Sequence, residues 1–503
     1  MTIQNPLASR IDIKSIYISC LISLLIALYF ISTSQQFEHW FLIPVTLCGI
    51  VIGVDAVEWF RRRLDLFDPV GIIGLLGYHF FFLAPLLHVN WDVWYVTSFI
   101  YPTDWRPWLG SLSIFNLIGI FLYRISRNII PISKNNYLKK SVWLINPNRF
   151  FPIITFAMVI SLVLQTMVYS RFGGVLGYIA SATSGDESAF EGMGILFLFS
   201  ESFPILAMMA FGVYAQKYKR LNSWPILLII LVIFLALQMF FGGFRGSRSN
   251  TIWALFWAVG IIHFMIRQVT RKQIAVGLVF LLFFMYFYGF FKADGIDGVK
   301  TAFSGRDART QLEAESGRTW QGLLLGDLAR SDIQASTLRN LMRPDSDYEY
   351  AFGETYLAAT TLMVPSFMMP DTPFKHKIMK GTEMLYGKDS FQEGVWESSK
   401  VYGLAGEAML NFGPFALPLA FIPFGILVGF IQRKLFEWDA LDSRMILMPM
   451  LVNLAFIVLV SDLDNVIFFM FKNSGLPVLV IFLSSRQIRM SAKPKNFVNS
   501  LTH

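Results

Sequence analysis

Charged residues are scarce in this sequence. Lys, Arg, Asp and Glu make up 15% of its 503 residues, whereas about a quarter of the residues in a soluble domain are charged. Hydrophobic residues make up 55%, phenylalanine occurs 49 times, and the mean hydropathy is +0.53. This composition excludes an ordinary soluble domain and predicts an all-α polytopic membrane protein.

Cysteine is also scarce. Cys20 and Cys48 are the two cysteines of the sequence, and each lies inside an apolar run. Such isolated thiols exclude a disulfide framework and a cysteine-based zinc site. The net charge of +8 is compatible with nucleic-acid binding, but in a polytopic protein it is better explained by basic cytoplasmic loops. We therefore predict membrane lipids as partners and no nucleic acid.

Twelve apolar runs are long enough to cross a bilayer, because a spanning helix needs about 20 residues. The first run is not followed by a small-residue cleavage site, so we interpret it as a retained span rather than a signal peptide. The predicted spans are 15–33, 41–59, 69–88, 109–126, 151–170, 194–216, 223–241, 250–266, 273–291, 413–432, 445–461 and 465–484.

Basic residues divide the connecting segments into two sets. Lys and Arg are frequent in the two termini and in every second loop, for example Arg61, Arg62, Arg63, Lys139, Lys140, Lys217, Lys219, Arg220, Arg267, Arg271, Arg433 and Lys434. The short loops of the other set contain only Arg106, Arg171, Arg245 and Arg248. The positive-inside rule therefore predicts that both termini are cytoplasmic and that the second set is extracytoplasmic.

One connecting segment, 292–412, is much longer than the others and belongs to the extracytoplasmic set. It is too rich in aliphatic and aromatic residues to be disordered, so we expect one or two surface helices in 315–342 and an amphipathic or re-entrant element in 351–370. The predicted organisation is a nine-span region 1–291, the loop 292–412, a three-span region 413–484 and a cytoplasmic tail 485–503.

The segment GGFRGSRSN, residues 242–250, has the composition of an anion site. Arg245 and Arg248 offer charged forks that suit phosphate, and Gly246 allows close approach of the backbone. Ser247 and Ser249 add donors, and the N-terminus of span 8, capped by Ser249 or by Asn250 that follows it, contributes its dipole. The alternative is that the two arginines only anchor the helix to lipid headgroups.

Further candidates lie in the long loop and at its end. Arg318 and Arg330 flank the apolar stretch LLLGDLA and can reach the same anion, although most loop arginines are expected to face solvent. Glu407 lies in a glycine-rich apolar segment at the mouth of span 10, where a carboxylate is expected to have a raised pKa and to act as a general base. The alternative for Glu407 is a hydrogen bond to a neighbouring helix or an ion pair with an arginine.

Three segments resemble the Wzy-type O-antigen and oligosaccharide repeat-unit polymerases. They are GGFRGSRSN, the segment FGETYL…MVPSFMMPDTP, and GLAGEAMLNFGPFALPL…FGILVGF. The family's Gly-Arg turn matches Arg245 and Arg248, and its Gly-Glu…Asn-Phe-Gly segment matches Gly406, Glu407, Asn411, Phe412 and Gly413. The family's Pro-Arg is not matched, because Ser366 follows Pro365 here.

The resemblance implies a GT-C-like fold and a glycosyltransferase of the bacterial cell inner membrane. Such an enzyme transfers a glycan from undecaprenyl diphosphate to the next lipid-linked repeat unit on the periplasmic face, and so builds an O-antigen, capsule or exopolysaccharide. It implies no cofactor, and it implies a chain-length regulator and a flippase as partners. Arg245, Arg248 and Glu407 are then the catalytic candidates. Gly246, Ser247, Ser249, Arg318, Arg330 and Asn411 are candidates for substrate or diphosphate binding.

Two other functions stay open at this point. Twelve spans also suit a transporter or flippase, although the 6–7 loop is short and the long loop lies between spans 9 and 10, unlike the major-facilitator pattern. An O-antigen ligase would use the same donor, but its large loop normally offers a histidine, and here only His376 is available. Asp462 and Asp464 form an Asp-x-Asp pair, which alone is too few ligands for a hard cation, so we predict no metal.

Overall fold

Long apolar helices dominate the computed structural model, in agreement with the predicted all-α membrane class. The described residues are 12–96, 102–129, 141–183, 190, 193–245, 248–362, 364, 374–392, 395, 397–398 and 400–489.

The α-helices of this described part are, in chain order, α1 Ile13–Thr33, α2 Leu42–Phe60, α3 Pro69–Tyr78, α4 Ala84–Trp91, α5 Arg106–Arg127, α6 Pro147–Arg171, α7 Val175–Thr183, α8 Gly194–Ser200, α9 Phe203–Lys217, α10 Trp224–Phe241, α11 Arg248–Ile261, α12 Arg271–Ser304, α13 Arg306–Ser316, α14 Ser331–Met342, α15 Glu354–Thr361, α16 Lys377–Tyr386, α17 Gly403–Phe412, α18 Ala416–Glu437, α19 Met448–Val460, α20 Leu463–Lys472 and α21 Gly475–Ser484. The strands are β1 Ser141–Ile145 and β2 Ser485–Arg489. Three short segments of the described residues are π-helical. One joins α3 to α4 (His79–Leu83), one extends α11 (Ile262–Ile266) and one precedes α14 (Gly322–Asp327).

Eleven helices of the described residues are long and apolar enough to cross a membrane, or twelve if a bent pair counts as one span. The bent pair is α20 with α21, which meet at 43° around Asn473 and Ser474. The coarse prediction of a polytopic bundle is therefore confirmed. The last predicted span, 465–484, is a broken helix rather than a straight one.

Local sequence signals fix several helix starts. Asp68 caps α3 by accepting the N–H of Val70 at 2.9 Å, and Pro69 occupies the first helical position, where its missing N–H has no cost. Thr270 and Gln273 form a capping box at the start of α12. By contrast, α11 begins at Arg248, so Ser249 and Asn250 lie in its first turn, and the expectation that one of them caps it is wrong.

Two features differ from the predicted organisation. β1 and β2 pair in antiparallel register, from Ser141 with Arg489 to Ile145 with Ser485, which joins the 4–5 loop to the tail predicted at 485–503. In addition, α12 continues beyond the predicted end of span 9, with a kink at Asp294 and Gly295. The expected boundary at 291/292 thus falls inside a helix.

Contacts between loops divide them into two ends of the bundle. At one end, which we name the tail face, β1 pairs with β2, Arg271 donates to the carbonyls of Trp59 and Leu64 at 2.9 and 2.7 Å, and Arg267 donates to that of Asn222. The other end, which we name the loop face, carries the described residues between 305 and 403. The basic loops predicted to be cytoplasmic thus meet at the tail face, which supports the predicted parity of the spans.

The tightest helix packing joins α5 and α18. A Cβ atom on Gly429 would lie 2.3 Å from the carbonyl oxygen of Arg127, and one on Gly425 would lie 2.0 Å from Oγ of Ser126. Small residues are favoured where membrane helices approach this closely. Close to this interface, buried Asp55 of α2 pairs with Arg124 and Arg127 at 2.7 and 2.6 Å.

The long loop packs into the bundle. Most residues of α14 are buried, so the expectation of surface helices in 315–342 is wrong for this helix. Gln334 donates to the carbonyl of Tyr402, and Asn340 donates to that of Met384. The element expected in 351–370 contains α15, whereas Pro365 and Pro370 lie outside the described residues. The described part of the loop therefore forms a folded layer, and Ser331 at the start of α14 ties it to the bundle by donating to the carbonyl of Phe80.

Candidate functional site

A cavity of about 2050 Å³ runs along the bundle between α3, α10, α11 and α12. Trp224 and Lys272 line it near the tail face, and Arg248 and Asp327 line it at the loop face. Its wall between these ends is mainly apolar and includes Leu75, Leu228, Leu231, Val232, Leu235, Ile252, Leu255, Phe256, Val259, Val276, Phe280 and Leu281. The cavity is therefore an apolar crevice as long as the spans that form it.

Basic side chains concentrate at the loop-face end of this crevice. Five of the predicted residues line the cavity: Arg245, Arg248, Ser249, Arg318 and Arg330. Lys292 and Lys400, which the sequence analysis did not select, line it too. Gly246 and Ser247 lie outside the described residues. These five predicted residues thus line one cavity.

Arg245 is held by a buried carboxylate. Its guanidinium lies 3.4 Å from Glu201 and over the ring of Phe197, and Glu201 also pairs with Lys472 at 2.5 Å. Gly242 is needed here because a Cβ atom would lie 2.7 Å from the Glu201 carboxylate. Lys472 of α20 and Arg245 of the turn before α11 therefore share the Glu201 carboxylate.

Arg248 forms a two-pronged ion pair with Asp327. Its Nη2 donates to Oδ1 at 2.9 Å, and its Nη1 lies 2.7 Å from Oδ2. Ser249 follows it and is exposed in the first turn of α11, where helix N–H groups lack intrahelical partners. This end of α11 and the Arg248 fork are suitable for binding an anion.

Arg318 lies close enough to this pair to be affected by the charges of both Arg248 and Asp327. Its buried Nε has no hydrogen-bond partner among the described residues. Burial lowers the pKa of Arg318, and the positive charge of Arg248 lowers it further. Arg248 and Arg318 are therefore two cations beside one carboxylate, Asp327, and the cavity end has an excess of positive charge.

Arg330 has a different role. Its Nε donates to the carbonyl of Val460 at 3.2 Å, and its Nη1 donates to the carbonyls of Gly326, Asp327 and Ala329. Burial lowers its pKa. These bonds tie the segment before α14 to the end of α19, so Arg330 supports the wall of the site and its fork is already engaged.

Glu407 and Asn411 do not line the cavity. Glu407 accepts from the hydroxyl of Thr355 at 3.1 Å and from the N–H of Leu463 at 2.7 Å. Asn411 donates to Thr355 and to the carbonyl of Glu407, and it accepts from the N–H of Gly353. The structure thus brings these two predicted residues together, but in a buried cluster separate from the arginines, as in the alternative interpretation of Glu407.

Two further carboxylates and a lysine complete this second cluster. Nζ of Lys377 lies 2.8 Å from Oδ2 of Asp462 and 3.0 Å from Oδ2 of Asp464. Burial raises the pKa of Glu407 to about 8, and the charge of Asp462 adds to this effect. An ammonium group thus occupies the position between the aspartates at which a cation would bind.

Sequence reasoning missed the acidic partners of the arginines. Asp327 lies within the stretch LLLGDLA, of which only the flanking arginines were selected, and Glu201 lies inside the predicted span 194–216. A signal was present for Glu201, because a charge inside a span requires a partner. Asp327 offered no such signal, because a loop carboxylate is ordinarily solvated.

Comparisons of this chain with protein-family models, with curated proteins and with solved structures found no match.

Proposed function

We propose that this protein is a glycosyltransferase that polymerises undecaprenyl-diphosphate-linked oligosaccharide repeat units on the periplasmic face of the bacterial inner membrane. The observation that carries the proposal is the shape and charge of the crevice. Its apolar wall runs along the spans, and its loop-face end carries Arg245, Arg248 and Arg318. A long isoprenoid chain with a diphosphate at one end has the complementary pattern.

The positive end suits a diphosphate better than a neutral headgroup. Glu201 lies beside Arg245 and Lys472. Asp327 lies beside Arg248 and Arg318. Each carboxylate carries one negative charge and therefore balances only one of its two cations. A diphosphate supplies the missing negative charge and accepts paired hydrogen bonds from arginine forks. A sugar attached to it would lie toward the folded loop, and thus outside the apolar crevice.

The same groups suit the chemistry of glycosyl transfer. When the bond from the sugar to the diphosphate breaks, negative charge grows on the leaving oxygen. Arg248, Arg318 and the N-terminus of α11 offer donors at this position, and donors that stabilise the charge on the leaving oxygen lower the barrier. The resemblance of the three sequence segments to the repeat-unit polymerases implies the same reaction.

Alanine variants of the two cavity arginines test the proposal. We expect that Arg248→Ala and Arg318→Ala, introduced into the gene in its native host, limit the surface glycan to one repeat unit. Arg306→Ala is the matched control, because Arg306 is an exposed arginine of the same loop, and it should leave long chains. Long chains in both cavity variants, at normal protein levels, would contradict the proposal.

One observation favours a second candidate, a flippase for the same lipid. The crevice reaches from one end of the bundle toward the other, and a translocation path would do so too. Host cells without a flippase would leave lipid-linked units on the cytoplasmic leaflet, whereas cells without a polymerase would present single units outside. The leaflet on which single units accumulate in the Arg248→Ala strain therefore separates the two functions.

A further inference from the structure

The cavity is lined by two carboxylates among the described residues, Asp327 and Asp332. Asp332 is buried, and its two oxygens accept from the N–H groups of Tyr95 and Ile333 at 3.0 and 2.7 Å. Asp327 is one-third exposed, at 33% of its side-chain surface, and its carboxylate pairs with Arg248. Asp327 is thus the carboxylate that can meet a ligand in this cavity.

From this arrangement, and on the basis of the proposed function, we propose that Asp327 is the catalytic base that takes the proton of the acceptor hydroxyl, and that the donor diphosphate activates it by drawing Arg248 away. In the structure the Arg248 fork binds both carboxylate oxygens of Asp327. A phosphate competes for that fork and also gives Arg318 a partner.

The exchange of partners frees the carboxylate of Asp327. While the Arg248 fork binds both of its oxygens, the arginine competes with a sugar hydroxyl for them. Once Arg248 turns to the diphosphate, which carries more charge than a carboxylate, both oxygens of Asp327 can accept a hydrogen bond from the acceptor hydroxyl. The base therefore becomes active only when the donor is in place.

The proposed step balances. The acceptor hydroxyl oxygen forms a bond to the anomeric carbon of the donor sugar, and its proton passes to Asp327. The bond between that carbon and the diphosphate oxygen breaks, and its electron pair stays on undecaprenyl diphosphate beside Arg248 and Arg318. Asp327 then returns its proton to water, and no oxidant, reductant or metal takes part in the step.

The test uses the full-length protein in proteoliposomes with the host's own lipid-linked repeat unit as substrate. We expect Asp327→Asn to lower the turnover number about a hundredfold or more, the usual effect of losing a general base. Binding of undecaprenyl diphosphate should stay the same or become several-fold tighter, because the neutral amide no longer competes for Arg248. Asp327→Glu should restore part of the rate.

Asp345→Asn is the matched control, since Asp345 is a loop carboxylate that also pairs with an arginine, Arg343, but is 70% exposed; it should leave turnover unchanged. Full turnover by Asp327→Asn would overturn the inference while leaving the proposed function intact. Joint loss of turnover and lipid binding would also overturn it, because a structural contact alone gives that result. A wild-type protein that binds undecaprenyl diphosphate but makes no polymer would instead refute the proposed function.

Discussion

Glu407 and Asp462 each bind backbone N–H groups at the start of the other's helix. Glu407 of α17 accepts from Leu463, the first residue of α20, at 2.7 Å. Asp462, which precedes α20, accepts from Tyr402 and Gly403 at the start of α17, at 2.9 and 2.7 Å. These reciprocal caps join the long loop to the last, broken span.

The first prediction concerns the role of Glu407. At neutral pH its carboxyl is mostly protonated, because its pKa is raised to about 8. Glutamine has the same shape, so Glu407→Gln should change the free energy of unfolding by less than about 1 kcal/mol. Glu407→Ala removes the acceptor of the Leu463 N–H and of the Thr355 O–H and should cost about 2–4 kcal/mol. Denaturation in detergent measures both values.

The two variants also separate a structural role from catalysis. If Glu407 acts by capping α20, Glu407→Gln should keep long-chain synthesis while Glu407→Ala loses protein from the membrane. A stable Glu407→Gln protein that leaves glycan at one repeat unit would restore Glu407 as the base and remove the argument for Asp327.

The second prediction is a pH dependence of stability. Because the folded-state pKa of Glu407 is above its unfolded value of 4.5, the folded state holds a proton that the unfolded state has lost between those two values. This contribution to stability is complete below about pH 4.5 and is lost as pH rises through about 8. The wild-type Tm should therefore fall relative to that of Glu407→Gln between pH 6 and pH 9. A difference that is constant with pH would contradict the raised pKa.

The membrane class and the spans could be predicted from the sequence, because each span is a continuous apolar run and can be recognised without knowledge of tertiary contacts. The bend between α20 and α21 was less visible, since Asn473 and Ser474 interrupt the run by only two polar residues. Residue chemistry selected Arg245, Arg248 and Arg318, but the sequence left open whether Arg318 reaches the same anion or faces solvent. The separation of Glu407 from them was not predicted, because it depends on how α17 packs against α15 and α20 across more than 50 residues of chain.

The third prediction concerns the orientation of the protein. In a protein without Cys20 and Cys48, we expect Arg306→Cys on the loop face to react with a membrane-impermeant maleimide in intact spheroplasts. Lys219→Cys, at an exposed position of the opposite set of loops, should react only after permeabilisation, since basic loops are retained in the cytoplasm. The reverse pattern would place the cationic end of the crevice in the cytoplasm and remove the basis for a periplasmic polymerase.

The fourth prediction concerns the buried ion pair of Glu201 and Lys472, whose side chains are 2% and 0% exposed. Glu201→Gln leaves the buried Lys472 ammonium without its carboxylate and should cost about 3–5 kcal/mol of unfolding free energy. Lys472→Met should cost less, because Glu201 keeps Arg245 as a partner. The double variant should recover much of the Glu201→Gln loss, because it removes the uncompensated ammonium. The exposed pair of Lys300 with Asp297 is the control, and Lys300→Met should cost no more than about 1 kcal/mol. Because Glu201 also holds Arg245, the double variant should weaken undecaprenyl diphosphate binding even where stability returns; additive losses without recovery would show that the two side chains are not energetically coupled.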